Sequence, residues 1–142
     1  MQSALFDSAL YIAALRRGDP LLLLGAISTD APLWLSAVVL EELYAGANAR
    51  AFDAVRELER EFKAGDKILV PNADDWADAG KILARLAAKY GHEEIGRGRL
   101  TNDALIAMSA GRMGIVVVTT NAKDFRRLAE FRTFQWQLAV TP

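Results

Sequence analysis

Apolar residues recur along the chain in short blocks separated by polar turns, and their spacing predicts strands that alternate with helices. Residues 115–118 are apolar at every position, as expected for a strand that is buried on both faces. This alternation favours a parallel sheet covered by helices on both sides. Strands are predicted near residues 3–6, 33–35, 67–71, 115–118 and 133–136, and helices over residues 8–17, 36–44, 48–63, 75–90, 101–113 and 125–130, with a further apolar segment after Pro20.

Polar residues and glycines mark the predicted helix ends. Ser36 is placed to cap the second helix, and Gly46 lies near its C-terminal end. Residues 67–71 are expected to form a buried strand, and Gly91 to stop the helix that follows it. The other predicted N-caps are Asp74 or Asp75, Thr101 with Asn102, and Asp124.

Four polar residues stand next to apolar runs that would bury them: Asp7, Glu42, Asp103 and Asn121. Asp7 follows the first predicted strand and Asn121 the fourth, so both are expected at the carboxyl edge of the sheet, where ligands bind in such folds. At about 100° per residue, helical geometry turns Glu42 toward the apolar side and Glu41 toward the polar side. The same geometry places Asp103 on a face of small apolar residues.

These side chains together predict a divalent-metal site. A carboxylate among apolar atoms costs several kcal/mol unless a cation or hydrogen bonds compensate it. Oxygen ligands without His or Cys select Mg²⁺ or Mn²⁺. Three of the four also have a structural alternative, because Asp7 suits an N-cap, Asp103 a first helical turn and Asn121 a turn. Glu42, in mid-helix on the apolar face, has no capping role.

Length and composition favour one globular domain over residues 1–142. The chain is 52% hydrophobic and 25% charged, which is typical of a folded rather than a disordered protein. It contains no cysteine, which excludes disulfides and thiolate metal sites. Neither a signal peptide nor an apolar run long enough for a membrane span is evident, so we expect a cytoplasmic protein.

Charge is unevenly distributed along the chain. Residues 1–94 carry a net charge of −5 and residues 95–142 one of +4. A basic surface beside an acidic metal site suits a polyanionic substrate, although arginines on solvated helix faces would give the same count. Arg97 and Arg99 are the best candidates for contact with a substrate backbone, because adjacent glycines allow close approach. The alternative for this pair is an ordinary basic loop.

Four sequence blocks, taken in order, resemble a PIN domain, and within that superfamily the toxin of a VapBC-type toxin–antitoxin pair. The resemblance covers essentially the whole chain, and the four blocks together are far more specific than any one of them. The blocks are Leu5-Phe6-Asp7-Ser8, Leu40-Glu41-Glu42-Leu43-Tyr44-Ala45-Gly46, Asn102-Asp103-Ala104-Leu105-Ile106-Ala107 and Val118-Thr119-Thr120-Asn121-Ala122-Lys123-Asp124-Phe125.

The resemblance implies an α/β protein with a PIN-like three-layer α/β/α fold and a central, mainly parallel sheet of four to five strands. It implies Mg²⁺-dependent hydrolysis of RNA phosphodiester bonds, with Asp7 and Asp103 as metal ligands and Glu42 binding metal or orienting the attacking water. Thr119 and Asn121 would support this arrangement. Many relatives have Asp where this chain has Asn121, so the site would hold one negative charge fewer. Asp124, three residues on, could restore that charge, although a cap of the helix that follows is the favoured role for it.

The resemblance also implies partners: an RNA substrate, a small antitoxin, and a second copy of the chain in a homodimer or a toxin–antitoxin hetero-oligomer. Residues 10–15 and 51–62 are candidate surfaces for the antitoxin. The alternative function is a non-catalytic PIN-like module that binds RNA or protein, against which the retained acids argue. A receiver-like phosphoacceptor would need an acidic pair after the first strand and an Asp after the third, and residues 7–8 and 70–71 supply neither. Trp34, Trp76 and Trp136 are expected to pack in or beside the core, and His92 to lie in a surface turn.

Overall fold

A five-stranded parallel sheet forms the centre of the molecule, in a computed structural model that describes residues 2–18, 32–95 and 99–139. The strand order is β3-β2-β1-β4-β5, and every pairing is parallel. From β1, the chain adds β2 and β3 on one side of the sheet and then β4 and β5 on the other side. The strands are β1 (Ala4–Phe6), β2 (Leu33–Ser36), β3 (Ile68–Leu69), β4 (Val116–Thr119) and β5 (Trp136–Leu138).

Helices cover both faces of the sheet. Right-handed crossovers that run in opposite directions across a sheet place their helices on opposite faces. The helix contacts agree with this rule. On one side α1 packs on α2 and α2 on α3, and on the other α4 packs on α5 and α6, and α6 on α7. The result is the three-layer α/β/α architecture expected from the sequence. The helices in the described part are α1 (Ser8–Arg16), α2 (Ala37–Ala45), α3 (Ala49–Ala64), α4 (Ala73–Tyr90), α5 (His92–Ile95), α6 (Arg99–Met113) and α7 (Ala122–Ala129).

The core lies around the two central strands and α6. Leu5, Phe6, Val117 and Val118 are almost fully buried, which explains why these strands show no polar alternation. Residues 103–110 of α6 are buried at every position, because this helix lies between the sheet, α4 and α7. An acid in this stretch is therefore held within the core.

The predicted strands and helices form, with four corrections to their ends. N-capping of α4 is by Asn72, with Asp75 completing a capping box, rather than by Asp74 or Asp75. The helix α6 begins at Arg99, so Thr101 and Asn102 lie inside its first turn. The last strand is displaced from residues 133–136 to β5, and α7 begins at Ala122 with Asn121, not Asp124, as its N-cap.

Two further expectations about burial are wrong. The strand at residues 67–71 shortens to β3 at the sheet edge, and Val70 after it is 61% exposed. Trp76 is 58% exposed on α4, whereas Trp34 and Trp136 are partly buried against the core as expected. His92 is exposed, but it opens the short helix α5 that the sequence pattern did not predict.

The apolar segment predicted after Pro20 lies outside the described residues. Across the described ranges, none of the helices is both long and apolar enough to cross a membrane.

Candidate functional site

The strand order reverses between β1 and β4, which is where a doubly wound parallel sheet opens a crevice at its carboxyl edge. Asp7 follows β1 directly, and Thr119 is the last residue of β4. The backbone N–H of Asp7 donates to the carbonyl of Val118 at 2.9 Å, so the sheet pairing continues to the point where the two strands end. Side chains from both strand ends therefore share one small region.

A chain of hydrogen bonds joins Asp7 to Asn121 through Thr119. The Thr119 hydroxyl donates to Oδ2 of Asp7 at 2.9 Å and accepts from the backbone N–H of Asn121 at 2.9 Å. Oδ1 of Asp7 accepts from the backbone N–H of Ser8 at 2.7 Å, so Asp7 also caps α1. The capping alternative for Asp7 is thus realised, and it leaves the carboxylate buried beside the Thr119 hydroxyl.

Asn121 connects two further carboxylates. Its Nδ2 donates to Oδ2 of Asp124 at 2.8 Å and to Oδ2 of Asp103 at 3.4 Å, while its Oδ1 accepts from the backbone N–H of Asp124 at 3.3 Å. This pattern fixes the amide orientation, because exchanging the two ends would put a carbonyl oxygen against two carboxylates. In this arrangement the Asn121 N–H groups stabilise the carboxylates of Asp103 and Asp124, and the Asn121 carbonyl oxygen caps α7.

Glu42 approaches the same region from α2. Burial raises the pKa of Glu42, hydrogen bonding with Asn102 opposes that rise, and the neighbouring Asp7 and Glu41 carboxylates add to it. Its Oε1 is buried without a hydrogen-bond partner among the described residues. Glu41 is exposed, as the helical geometry predicts. Contacts between α2 and α6 bring Glu42 and Asn102 together.

These residues fit a hard divalent cation by their chemistry. All the candidate ligands are oxygen donors, Asp7 and Asp103 are 5% and 4% exposed, and a buried Glu42 oxygen lacks a partner. Within the described ranges, no three His, Cys, Asp or Glu side chains are already arranged to hold an ion. Hydrogen bonds from Thr119 and Asn121 stabilise the Asp7 and Asp103 carboxylates in this arrangement.

The structure brings Asp7, Glu42, Asp103, Thr119 and Asn121 to one edge of the sheet. Arg97 and the side chain of Arg99, the two predicted substrate contacts, lie outside the described residues.

Sequence reasoning missed two neighbours of this site, Asn102 and the Ser8 side chain, which hydrogen-bond to Glu42. Asp124, expected to cap the helix that follows it, instead accepts a hydrogen bond from the Asn121 side chain. The spacing from Asn121 to Asp124 was the signal for this contact, since an N-cap residue and an acid three positions later form a capping pattern.

Comparison with known proteins agrees with this geometry. A family model described as the PIN domain matches residues 4–131. No curated protein sequence matches the chain.

Several solved structures share the fold. The chain superposes on a chain of the DNA-bound VapBC from Salmonella typhimurium with a TM-score of 0.66 and 23% identity, covering 97% of this chain and 98% of that one. For the promoter-DNA complex of VapBC2 from Rickettsia felis the TM-score is 0.64 and the identity 17%, with 98% and 100% covered. For VapBC-5 from Mycobacterium tuberculosis, a member of the VapBC family of toxin–antitoxin systems, the values are 0.54 and 23%, with 99% and 100% covered.

Proposed function

Because the chain belongs to the PIN-domain family, we propose that it is a Mg²⁺- or Mn²⁺-dependent endoribonuclease and the toxin of a type II toxin–antitoxin system. The observation that carries the proposal is the convergence of Asp7, Glu42, Asp103, Thr119 and Asn121 where the strand order reverses. A structural role alone does not explain three acids in this region, two of them almost fully buried and the third with an unpartnered buried oxygen.

Each residue has a defined task in this proposal. Asp7, Asp103 and Glu42 would hold the cation, which supplies charge stabilisation at the scissile phosphate and lowers the pKa of the attacking water when it is bound. Thr119 orients Asp7 through its hydroxyl, and Asn121 orients Asp103 through its amide. Glu42 is also suited to orient the attacking water, since its Oε1 has an unused acceptor.

The structural neighbours support the proposed partners. The three solved structures compared above are described as VapBC, one of them as a member of the VapBC family of toxin–antitoxin systems. We therefore propose a small cognate antitoxin as the protein partner and a homodimer or a toxin–antitoxin hetero-oligomer as the assembly. Size-exclusion chromatography with light scattering, on the chain alone and co-expressed with the product of the neighbouring gene, tests both.

Cleavage of a mixed pool of small RNAs tests the activity. The purified chain is incubated with Mg²⁺, Mn²⁺ or EDTA, beside an Asp7→Asn/Asp103→Asn variant. A matched control is Asp53→Asn/Asp74→Asn, which makes the same chemical change at two exposed positions. Discrete products from the parent and the control, absent with EDTA and with the site variant, are expected.

The alternative, a non-catalytic module, predicts a different result. A folded parent that binds the RNA pool without cleaving it under any metal condition would make RNA binding the function. Products that persist in the site variant would assign the activity to a contaminant or to other residues, and would remove the proposed role of the acids.

A further inference from the structure

A groove of about 880 Å³ runs between the C-terminal ends of α1 and α2 and the first turns of α3. Arg16, Arg17 and Arg50 line it together with Ile12 and Leu15, and Glu42 lies in its wall. Among the described residues that line the groove, Glu42 is the only acidic one. The groove therefore leads from a cationic, partly apolar surface to a residue of the candidate site.

Five cationic side chains are described in the second part of the sequence, and four of them form ion pairs with acids, two of these with the same Glu94. The Nε of Arg112 lies 3.0 Å from Oδ2 of the buried Asp75. The partners come from other helices, which the charge count along the chain could not reveal. The remaining ion pairs of this kind are Lys123 with Glu94, Arg127 with Glu94, and Arg132 with Asp78.

The groove arginines differ from these paired cations. Arg16, Arg17 and Arg50 are exposed and form no ion pair with the described residues. Three guanidinium groups without acidic partners on one groove leave a local excess of positive charge next to the candidate site. Such an excess attracts phosphates, and guanidinium groups suit phosphate geometry.

We propose that this groove binds the single-stranded RNA substrate, with Arg16, Arg17 and Arg50 contacting its phosphates and directing the strand toward Glu42. The inference rests on the proposed nuclease function and adds a binding surface to it. The helix α1 has nine residues, so Arg16 lies about 12 Å along the axis from Ser8, next to Asp7. The groove arginines therefore contact the strand away from the scissile phosphate.

The lining also defines how the strand would be recognised. The lining side chains in the described ranges include no aromatic residue on which a base could stack. Aliphatic groups such as Ile12 and Leu15 give contacts that any base can make. Binding in this groove is thus dominated by phosphates, with weak sequence preference and a steep dependence on salt.

Salt-dependent binding of a fluorescent uridine oligoribonucleotide tests the groove. The measurement uses the full chain with Asp7→Asn/Asp103→Asn in EDTA, so that no cleavage occurs, and an oligomer of about 20 nucleotides, longer than common single-strand sites. The groove variant carries Arg16→Ala, Arg17→Ala and Arg50→Ala. The control carries Arg60→Ala, Lys123→Ala and Arg132→Ala, which removes the same charge from ion-paired, exposed positions.

The groove variant is expected to bind roughly 50-fold more weakly at 0.15 M salt, and its log–log salt slope should fall by about 2, since each lost phosphate contact contributes about 0.7. The control should change affinity by less than about threefold, because its cations already have acidic partners. In metal-dependent cleavage by the active chain, the groove variant should raise KM and leave kcat within about twofold.

Equal losses in the groove variant and the control would overturn the proposal, since the effect would then be one of net charge. Unchanged RNA binding in the groove variant, together with loss of binding to poly-L-glutamate, would overturn it in favour of an acidic protein segment. Because binding is measured without metal, an inactive parent that still binds RNA through the groove contradicts the nuclease function alone. A parent that cleaves RNA with unchanged KM in the groove variant contradicts the groove alone.

Discussion

Replacing Thr119 by Val tests how strongly the hydroxyl between β4 and Asp7 supports the candidate site. The two side chains have nearly the same shape, so the substitution removes the hydroxyl and leaves little cavity. The Thr119 side chain is fully buried and makes hydrogen bonds at 2.9 Å both to Oδ2 of Asp7 and from the backbone N–H of Asn121. Val satisfies neither partner.

The expected loss follows from these two bonds. A hydrogen bond to a charged group contributes about 1.5–3 kcal/mol, and a buried N–H without a partner costs about 1–3 kcal/mol. Because Asn121 is only partly buried, water can relieve part of the second cost. We therefore expect Thr119→Val to lower the free energy of unfolding by about 3 kcal/mol. A domain of this kind is stable by about 5–15 kcal/mol in all.

Urea unfolding in EDTA, followed by circular dichroism, measures this difference, and thermal unfolding should show a fall in Tm of roughly 10 °C. Thr120→Val is the matched control, since Thr120 is exposed and should change stability by less than about 0.5 kcal/mol. Thr119→Ser keeps the hydroxyl and should recover most of the loss. A loss below 1 kcal/mol in Thr119→Val, or one equal to that of Thr120→Val, would refute the assigned role of the hydroxyl.

Three further substitutions separate metal binding from structure. Asn121→Asp puts a third carboxylate within 3.4 Å of Asp103 and 2.8 Å of Asp124, so it should lower the free energy of unfolding in EDTA by about 2 kcal/mol. Mg²⁺ or Mn²⁺ should then raise the Tm of this variant more than that of the parent. Equal increases in Tm would count against this reasoning. Burial raises the pKa of Glu42 above 4.5, so protonated Glu42 stabilises the folded chain, and this stabilisation is lost as pH rises through the folded pKa. The stability of Glu42→Gln relative to the parent should therefore rise across this pH window in EDTA. A difference in urea unfolding that does not change with pH would contradict the assignment. Arg112→Ala leaves the buried Asp75 without its ion pair and should lower the free energy of unfolding in urea by about 2 kcal/mol. It should leave metal-dependent cleavage unchanged. Arg132→Ala, at an exposed ion pair, should lower the free energy of unfolding by less than about 1 kcal/mol.

The sequence pattern predicted the elements well wherever one physical signal dominated. The two ends of α2 could be predicted from Ser36 and Gly46, because the capping interactions at a helix end form between residues only a few positions apart. The order of strands and helices follows from local periodicity in the same way. Where several polar residues near a helix start could each cap it, as Asn72, Asp74 and Asp75 could, the pattern locates the start of the helix but not its first residue.

The acids of the site could also be selected from the sequence. Glu42 breaks an apolar helix face and Asp103 opens an apolar one, and each position is defined by neighbours within one or two turns. Their surroundings were not predictable in the same way. The bond from Thr119 to Asp7 joins residues 112 positions apart, and only the parallel pairing of β1 with β4 brings them together.

Charge shows most clearly what the sequence determined and what required the tertiary structure. The sequence determined where the charges lie along the chain, and it indicated a basic second part as the substrate surface. Folding paired Arg112, Lys123, Arg127 and Arg132 with acids from other helices. It left Arg16 and Arg17 at the end of α1 and Arg50 at the start of α3 without an acidic partner among the described residues. Coulombic interaction depends on distance through space, so the fold alone decided which cations remain available to a phosphate.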